Sequence, residues 1–196
     1  MLFWIGRFIF FVILRVFFFL KVEGCGNIPS RRGFIVACNH ISNLDPIVVG
    51  VACPRAINFM AKQELFGNRI FGFILRRVRA FPVRRGQADV GAVKEAIRRL
   101  RAGEGLLLFP QGGRGRGWDI KQAKDGVGMF AAKLGVAVVP AVVRGTERAL
   151  PRGRVIPRPA RINVCFGPPI MVEGSDNKDY TGITRKVMSA IEEMNR

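Results

Sequence analysis

Hydrophobic residues dominate the first twenty positions of the chain. Eighteen of these twenty residues carry no charge, and only Arg7 and Arg15 interrupt the run. A helix of this length measures about 30 Å at ~1.5 Å per residue, which is close to the thickness of a bilayer core. Phenylalanine is frequent in the run, and aromatic side chains are typical of segments at a membrane interface. The pattern therefore predicts an N-terminal membrane-anchoring helix within residues 1–22.

This segment has three possible placements: in the membrane interface, across the membrane, or in a protein core. An arginine near the middle of a spanning helix costs roughly 2.5–3.5 kcal/mol. An interfacial helix instead lets the guanidinium groups of Arg7 and Arg15 reach lipid phosphates. A cleaved signal peptide is disfavoured, because Arg15 divides the apolar run and no small-residue cleavage site follows. We therefore favour an interfacial anchor.

The rest of the chain alternates short apolar runs with amphipathic segments. The clearest helix covers residues 89–101, where Val90, Val93 and Ile97 recur at helical spacing. Pro82 indicates a strand at the edge of a sheet or the end of a strand, because it cannot donate a ladder hydrogen bond. Such alternation predicts an α/β domain over residues 23–196, with a mostly parallel or mixed central sheet flanked by helices. The predicted strands are 33–38, 57–60, 80–83, 105–109, 136–143 and 161–166, and the other helices are 46–52, 124–134 and 181–194.

The composition is both strongly hydrophobic and strongly basic. The 196 residues include 49% hydrophobic residues, and 32 Lys and Arg against 14 Asp and Glu give a formal charge of +18. This apolar content excludes a disordered basic tail, and the length accommodates one domain. The charge predicts an anionic partner, either nucleic acid or a membrane surface. Residues 69–101 alone hold ten cations and two acids, which indicates either a solvated basic face or one that meets anionic headgroups.

The cysteines do not indicate a metal site. Cys25, Cys38, Cys53 and Cys165 form no C-x-x-C pair, and the chain holds a single histidine, so a zinc site would lack ligands. Reduced structural cysteines on the cytoplasmic side are the simplest explanation. We expect no metal.

The only histidine follows the first strand of the predicted domain. Ligands of open α/β sheets collect beyond the carboxyl ends of the strands, which is where His40 lies. Asp45, five residues later, can fold back and orient the imidazole as a general base. Asp45 followed by Pro46 is equally an ordinary helix N-cap. Cys38 is a poor candidate nucleophile, because a buried thiol in an apolar strand is inert.

A second polar segment follows the strand at 105–109. Residues 109–117 are rich in glycine and arginine, so backbone N–H groups can approach an anion and Arg114 can grip a phosphate. The segment lacks the Gly-Lys-Ser/Thr of a Walker A loop, and a flexible turn or an RNA-binding Arg-Gly patch fits it as well. Arg84, Arg85 and Arg144 follow two further strands. Polar groups at four strand ends predict one cleft with a base, a carboxylate and several cations.

Two of these segments together resemble the motifs of one enzyme family. Asn39, His40 and Asp45 match the N-H-x4-D block of the PlsC-type 1-acylglycerol-3-phosphate acyltransferases, within the glycerolipid acyltransferase family. Residues 109–114 resemble the F-P-E-G-T-R block, with Arg114 at its arginine. The blocks also occur in the family's order.

Three more segments extend the resemblance over roughly residues 25 to 170. Residues 81–85 resemble the second block, with Arg85 at the arginine position. Residues 139–146 resemble the V-P-V-x-x-R-G-T block, which contains Arg144. Lys124 begins a K-x-G element of the kind usually found between the third and fourth blocks.

The resemblance implies a glycerol-3-phosphate acyltransferase-like fold and an O-acyltransferase that converts lysophosphatidate to phosphatidate. His40 and Asp45 would be the catalytic pair, acting by general base without a covalent acyl-enzyme. The co-substrate would be acyl-CoA or acyl carrier protein, with no other cofactor. The enzyme would be membrane-associated, on the cytoplasmic face of the inner membrane, with no nucleic acid partner. The remaining implied site residues bind the substrate phosphate (Arg85, Gly112, Arg114, Lys124) or support the site (Asn39, Gln111, Arg144).

The third block departs from the family pattern at two positions. Gln111 replaces the usual glutamate, and Gly113 stands where threonine is common. The loss of a carboxylate leaves open an acyltransferase that acts on another lyso-lipid or alcohol acceptor. A non-enzymatic basic protein that binds membrane or nucleic acid is the alternative from a different class.

Overall fold

The central element of the protein is a seven-stranded mixed sheet. The computed structural model describes residues 2–84, 89–113, 123–172 and 179–196. Within these ranges the strands are β1 (Lys21–Glu23), β2 (Phe34–Cys38), β3 (Ile57–Lys62), β4 (Ala80–Val83), β5 (Gly105–Leu108), β6 (Ala137–Arg144) and β7 (Asn163–Phe166). The helices are α1 (Leu2–Phe17), α2 (Asp45–Ala52), α3 (Arg69–Arg77), α4 (Val90–Arg101), α5 (Gly126–Leu134), α6 (Thr146–Ala149) and α7 (Tyr180–Asn195), and 3-10 helices cover Cys25–Asn27 and Gln63–Phe66.

The strand order brings five carboxyl ends to one edge of the sheet. The order is β1-β7-β6-β2-β5-β3-β4, and the run from β6 to β4 is parallel throughout. β7 is antiparallel to β6 and β1 is parallel to β7, so the sheet is mixed and the predicted fold class is confirmed. The central strand β2 pairs with β5 and β6 and is buried along its whole length, as expected for a parallel strand covered on both faces. β4, which contains Pro82, lies at the edge of the sheet as predicted.

Helices cover the two faces of the sheet in two groups. Val36 and Cys38 of β2 pack in a cluster with Val48 of α2, and this side, which also carries α1 and α3, is called the α1–α2–α3 face. Ile35 of β2 packs with Ala96 of α4, and α5 and α7 join the same cluster. Because side chains alternate along a strand, the residue parity in β2 assigns each cluster to one face.

The N-terminal helix is tied to the domain at both ends. Leu14, Phe18 and Leu20 are buried in the core of the α1–α2–α3 face. The Arg7 guanidinium donates to the carbonyl oxygens of Val51, at 3.2 Å, and of Cys53 at the end of α2. These carbonyls lack intrahelical donors and lie at the negative end of the helix dipole.

Arg15 is also engaged within the protein. Its guanidinium donates to the carbonyl oxygen of Leu20 at 2.9 Å. Each arginine of α1 thus gives part of its donor set to backbone carbonyls, and the contact of these side chains with lipid phosphates stays a prediction. In the described ranges, no helix combines the length and the apolar character needed to cross a membrane.

Candidate active site

His40 and Asp45 meet at the carboxyl edge of the sheet. His40 lies in the loop after β2, and Asp45 is the first residue of α2. The loop folds back so that His40 Nδ1 lies 2.8 Å from Asp45 Oδ2. Both side chains are buried, with Asp45 fully enclosed. The structure thus brings together the two residues that the sequence singled out.

The Asp45 carboxylate is held by three further donors. Its Oδ2 accepts the backbone N–H groups of Ile41 and Ser42, each at 2.7 Å. Its Oδ1 accepts the hydroxyl of Thr146 at 2.5 Å. The carboxylate makes no cap bond to α2, whose N-cap is Leu44, so its bonds are those of an orienting group rather than of a helix cap.

These contacts fix the role of each imidazole nitrogen. An ionised carboxylate only accepts hydrogen bonds, so Nδ1 of His40 carries the proton that points at Asp45. In the neutral ring, Nε2 is then the acceptor. His40 is therefore arranged to take up a proton at Nε2 while Asp45 stabilises the positive charge that develops.

A phenylalanine ring holds the plane of the imidazole. The rings of His40 and Phe109 stack with centroids 4.1 Å apart and an interplanar angle of 19°. Phe109 directly follows β5, so it reaches His40 from the strand next to β2. The sequence pattern identified this position as part of a block but gave it no role. The stack leaves His40 little freedom to turn away from Asp45.

Asn39 anchors the loop to the neighbouring strand. Its amide donates to the carbonyl oxygen of Val143 at 2.9 Å, and its carbonyl accepts the N–H of Val143 at 2.8 Å. The side chain thus makes to β6 the pair of hydrogen bonds that the backbone of a further β2 residue would make. Asn39 and Val143 are both buried. Asn39 supports the site by fixing the backbone from which His40 extends.

Asn39→Ala is expected to destabilise the protein. The substitution leaves the buried N–H and C=O of Val143 without partners, and an unsatisfied buried group costs about 1–3 kcal/mol. Denaturant unfolding of the full chain measures the change in the free energy of unfolding. Asn43→Ala, at an exposed position of the same loop, is the matched control and should change it by less than about 0.5 kcal/mol. Equal effects of the two substitutions would contradict this role for Asn39.

The described part of the F-P-E-G-T-R block, residues 109–113, forms a tight turn beside His40. Gly112 has a φ of +68°, which favours glycine, and its N–H donates to the carbonyl oxygen of Phe109 at 2.8 Å. That N–H is therefore used within the turn, and the geometry does not support the expectation that it binds a phosphate. The half-buried Gln111 is part of the same turn.

Lys124 lies directly over this turn. Its N–H donates to the carbonyl oxygen of Pro110 at 2.8 Å. A side chain at Gly112 would meet the Cε of Lys124 at 2.6 Å, so glycine there leaves room for the lysine to cross the turn. The structure thus brings the predicted cation Lys124 to the turn that follows Phe109.

Other cations lie along the same edge of the sheet. The predicted phosphate ligands Arg85 and Arg114 lie outside the described residues. Lys62, which the sequence analysis did not single out, ends β3 and is exposed. It could have been found by the same rule, since it follows a predicted strand. Arg84 ends the described part of the segment after β4 and donates through Nε to Gln63 at 2.8 Å.

A groove of about 410 Å³ borders Arg84 at the sheet edge formed by β4. Phe81, Asp89 and Glu95 contribute to its lining, and His40 does not. Hydrogen bonds from Arg98, together with Arg99, lower the pKa of Glu95 to about 2. The groove therefore presents carboxylates close to its arginine and lies apart from the His40 loop.

Arg144 is not brought to His40. It ends β6, and its guanidinium donates to the carbonyl oxygen of Met194 near the end of α7. The neighbouring Val143 belongs to the core of the α1–α2–α3 face, so alternation directs Arg144 to the opposite face. The described geometry gives Arg144 a role in docking α7 to the sheet.

Thr146, two residues after Arg144, is the member of this block that reaches the site. It is fully buried and bonds Asp45 across 101 positions of the chain. Thr146 lies within the V-P-V-x-x-R-G-T block but carries no predicted function. A threonine just after a buried strand is the signal in the sequence that could have found it.

Cys38 is not arranged as a nucleophile. Burial, together with the nearby Asp45 carboxylate, raises the pKa of its thiol well above the ordinary value. Its Sγ lies 3.4 Å from the amide oxygen of Asn39 rather than beside His40. A thiol in this state is not ionised at neutral pH, which agrees with the sequence-based expectation.

Comparisons with known proteins identify relatives of the chain. Residues 19–144 match the model of the protein family described as Acyltransferase. The chain is 33% identical to the 1-acyl-sn-glycerol-3-phosphate acyltransferase of Bacillus subtilis, over 81% of this chain and 77% of that protein. It is 31% identical to the protein of the same name from Streptococcus pneumoniae, over 80% of this chain and 57% of that one.

A solved structure shares the fold. The crystal structure of the 1-acyl-sn-glycerophosphate (LPA) acyltransferase PlsC from Thermotoga maritima matches with a TM-score of 0.70 and 30% identity. The match covers 90% of this chain and 72% of that one. Relatives differ in length, and the chain spans only 39% of a chloroplastic relative from Arabidopsis thaliana.

Proposed function

The chain belongs to the acyltransferase family, and we propose that it transfers an acyl group from a thioester donor to the sn-2 hydroxyl of 1-acylglycerol-3-phosphate, giving phosphatidate. The donor is acyl-CoA or acyl carrier protein. The observation that carries the proposal is the His40 Nδ1···Asp45 Oδ2 contact of 2.8 Å at the carboxyl edge of the sheet. The names of the relatives supply the substrate class.

The first step is removal of the hydroxyl proton. Nε2 of His40, the ring nitrogen that does not face Asp45, takes the proton from the sn-2 hydroxyl as the oxygen attacks. Positive charge develops on the imidazole, and the fully buried carboxylate of Asp45 stabilises it. Thr146 and the two backbone N–H groups keep the carboxylate in place throughout.

The second step breaks the thioester. The sn-2 oxygen bonds the thioester carbonyl carbon, and the tetrahedral intermediate then expels the thiolate. The proton held on Nε2 passes to the departing sulfur, so that thiol and phosphatidate are the products and His40 returns to its neutral form. Direct transfer needs no protein nucleophile, which is consistent with the buried, un-ionised thiol of Cys38.

Cations at the sheet edge are proposed to bind the acceptor phosphate. Lys124 lies over the turn that follows Phe109, the ring that stacks on His40. Lys62 ends β3, which pairs with the strand that precedes this turn. By resemblance, Arg85 and Arg114 join them. A dianionic phosphate needs several such donors, and arginine can bind it with two parallel hydrogen bonds.

Lys124→Met is expected to raise the KM for lysophosphatidate about tenfold, because losing one charged hydrogen bond costs roughly 1.5 kcal/mol or more. Methionine keeps an unbranched chain over Gly112 and removes the charge, so kcat should change much less. Steady-state kinetics at fixed thioester concentration measures both constants. Lys133→Met, at an exposed position of α5, is the control. An unchanged KM in Lys124→Met would exclude Lys124 from phosphate binding.

The site of action is proposed to be the cytoplasmic surface of the cell membrane. Lysophosphatidate and phosphatidate are membrane lipids, whereas acyl-CoA and acyl carrier protein are soluble in the cytoplasm. Exposed aromatic side chains on α1, including Phe8 and Phe17, suit the interface between these two phases. No cofactor beyond the acyl thioester takes part in the proposed reaction.

Acyl transfer assays test the proposed function. Purified full-length protein is given lysophosphatidate with acyl-CoA or acyl carrier protein, and phosphatidate formation is followed. Lysophosphatidylglycerol, lysophosphatidylethanolamine and glycerol 3-phosphate are the comparison acceptors, since Gln111 in place of glutamate leaves another acceptor open. A faster reaction with one of these would replace the proposed acceptor. If no acceptor reacts, and RNA binds tightly and in a salt-sensitive manner, the protein is a basic binding protein instead.

A further inference from the structure

Helix α3 exposes a row of large apolar side chains. Ile70 is 76% exposed and Phe73 is 53% exposed, and three neighbours are exposed as well. Soluble proteins rarely show so many large apolar side chains together without a partner. We call this surface the α3 ridge; its members are Leu65, Ile70, Phe71, Phe73 and Ile74.

The way α3 packs prevents it from burying this ridge. Gly72 is the buried residue of the helix, and a Cβ there would lie 2.9 Å from the carbonyl oxygen of Phe66. This close approach presses the glycine side of α3 onto the preceding 3-10 helix. Leu75 packs partly against the core on the same side. Because Gly72 and Leu75 occupy the inner side of α3, the bulky side chains of the ridge lie on its outer surface.

Arginines surround the ridge, and α3 contains no acidic residue. Arg69 begins the helix and Arg76 and Arg77 end it. The guanidinium of Arg77 lies 4.7 Å from the centre of the Phe73 ring, and that of Arg76 lies 5.5 Å from the Phe66 ring. A helix of nine residues is only about 14 Å long. Exposed apolar side chains flanked by arginines on an amphipathic helix are typical of an element that lies in a membrane interface.

The ridge lies on the same face of the molecule as α1. Both helices pack on the core of the α1–α2–α3 face. Phe8 and Val16 of α1 are exposed, and so is Ile47 of α2, the helix that packs on the same face. In addition, α3 follows the carboxyl end of β3, so the ridge begins at the same edge of the sheet as the His40 loop.

We propose that the α3 ridge is a second membrane-docking element, which inserts into the headgroup region of an anionic bilayer together with α1. Charge complementarity selects this occupant, because anionic headgroups attract Arg69, Arg76 and Arg77. A second copy of this chain would bring a further formal charge of +18 and the same arginines to the contact, where they repel one another. The choice of a lipid partner rests on the proposed function.

Docking through both α1 and α3 orients the domain on the membrane, which docking through α1 alone does not do. A single helix lets the domain swing about its attachment, whereas α1 and α3 together fix the orientation of the sheet relative to the membrane. The carboxyl edge is then held at the headgroup level, where the hydroxyl of a lyso-lipid lies. The ridge thus acts on the orientation of the site and does not touch the reacting atoms.

A spin label on α3 tests the proposal in the full chain. Cys25 is exposed and Cys165 is half-buried, so both are replaced by serine. Cys38 and Cys53 are buried, and burial raises the pKa of Cys53 to about 11, so they resist labelling. Ile70→Cys carries the nitroxide, and the protein is reconstituted with vesicles of phosphatidylglycerol and phosphatidylethanolamine. Met171→Cys, at an exposed position next to the residue that bridges the start of β6 and so at the opposite edge of the sheet, is the matched control.

Collision with dissolved oxygen and with a water-soluble nickel chelate then reports the surroundings of the label. We expect residue 70 to meet oxygen and to be shielded from nickel in vesicles, while residue 171 remains open to nickel. A label at 70 that nickel reaches freely would overturn the proposal. A label at 70 that is immobilised and shielded from both reagents would overturn it too, since that result indicates a protein interface.

Vesicle binding provides a second measurement that does not depend on activity. Ile70→Ser with Phe73→Ser is expected to weaken binding to phosphatidylglycerol vesicles at least about tenfold, given the free energy of burying such side chains. The change should be smaller with phosphatidylcholine vesicles. The control pair is Ala102→Ser with Met171→Ser, both exposed and both near strand starts at the opposite edge of the sheet. Equal binding by the two pairs would contradict the proposal, whether or not the wild-type protein transfers acyl groups.

Discussion

Replacing His40 with alanine is expected to lower kcat for acyl transfer about 10²- to 10⁴-fold, the usual contribution of a positioned general base. The reason is that the chain has one histidine, and its Nδ1 is already bonded to Asp45 at 2.8 Å. Only Nε2 is free of that bond and in a state to accept a proton. Steady-state assays with saturating lysophosphatidate and thioester measure the change. KM should change little, because the base contributes chiefly in the transition state.

Two controls separate loss of chemistry from loss of structure. Thermal unfolding of His40→Ala shows whether removal of the ring from its stack on Phe109 disturbs the fold. Cys38→Ala should keep most of the activity, since the thiol is buried and un-ionised. Wild-type kcat in a folded His40→Ala protein would eliminate the general-base mechanism. An acyl-enzyme detected by mass spectrometry, after incubation with thioester alone, would eliminate direct transfer.

The sheet could be predicted where strands are buried on both faces. β2, β5 and β6 are apolar runs that end in glycine or polar residues, and this pattern has few other interpretations. The extent of α4 was equally clear from its helical spacing, although the buried side consists of Ala92, Ala96 and Leu100. Val90, which the spacing assigned to the apolar side, is exposed. These elements need only the local pattern, since each buries its own apolar side chains.

Two elements could not be predicted for a common physical reason. β1 has three residues and follows the apolar run of α1 without a boundary in composition. α3 turns its large apolar side chains outward and buries a glycine, which is the reverse of the pattern that identifies a helix in a soluble protein. In both cases the surroundings of the segment, rather than its own sequence, decide what it forms.

The residues of the site also divide into those that the local sequence predicts and those whose position depends on the fold around them. The pairing of His40 with Asp45 was accessible from the sequence, because the spacing allows the loop to fold back and the N-H-x4-D resemblance selects the pair over a helix cap. Thr146 reaches Asp45 only because β6 lies beside β2, a fact of topology that no local motif contains. Arg144, in the same block, was assigned to the cleft because it follows a strand, but parity along β6 turns it to the other face. Position after a strand indicates the edge of a sheet and does not indicate the face.

Asp45→Asn is expected to lower kcat about 10²- to 10³-fold while the fold is kept, because a close charge–charge interaction in a buried site contributes several kcal/mol. The amide oxygen can replace Oδ2, accepting the N–H groups of Ile41 and Ser42 and of the imidazole. The amide nitrogen then faces Thr146, whose hydroxyl can accept as well as donate. The substitution therefore removes the negative charge and little else, so the loss measures how far Asp45 stabilises the positive imidazole.

Asp45→Ala is the comparison that makes this result interpretable. It removes the acceptors as well as the charge, leaving the donors of Ile41, Ser42 and Thr146 unsatisfied in a fully buried site, and it should lower the unfolding temperature where Asp45→Asn does not. Because the chain has one histidine, ¹⁵N-histidine labelling with a histidine-free tag gives the NMR signals of a single imidazole. Wild type and Asp45→Asn should both show the proton on Nδ1. A tautomer that changes in Asp45→Asn would mean that Asp45 acts by selecting the tautomer, and an unchanged kcat would mean that its charge plays no part in catalysis.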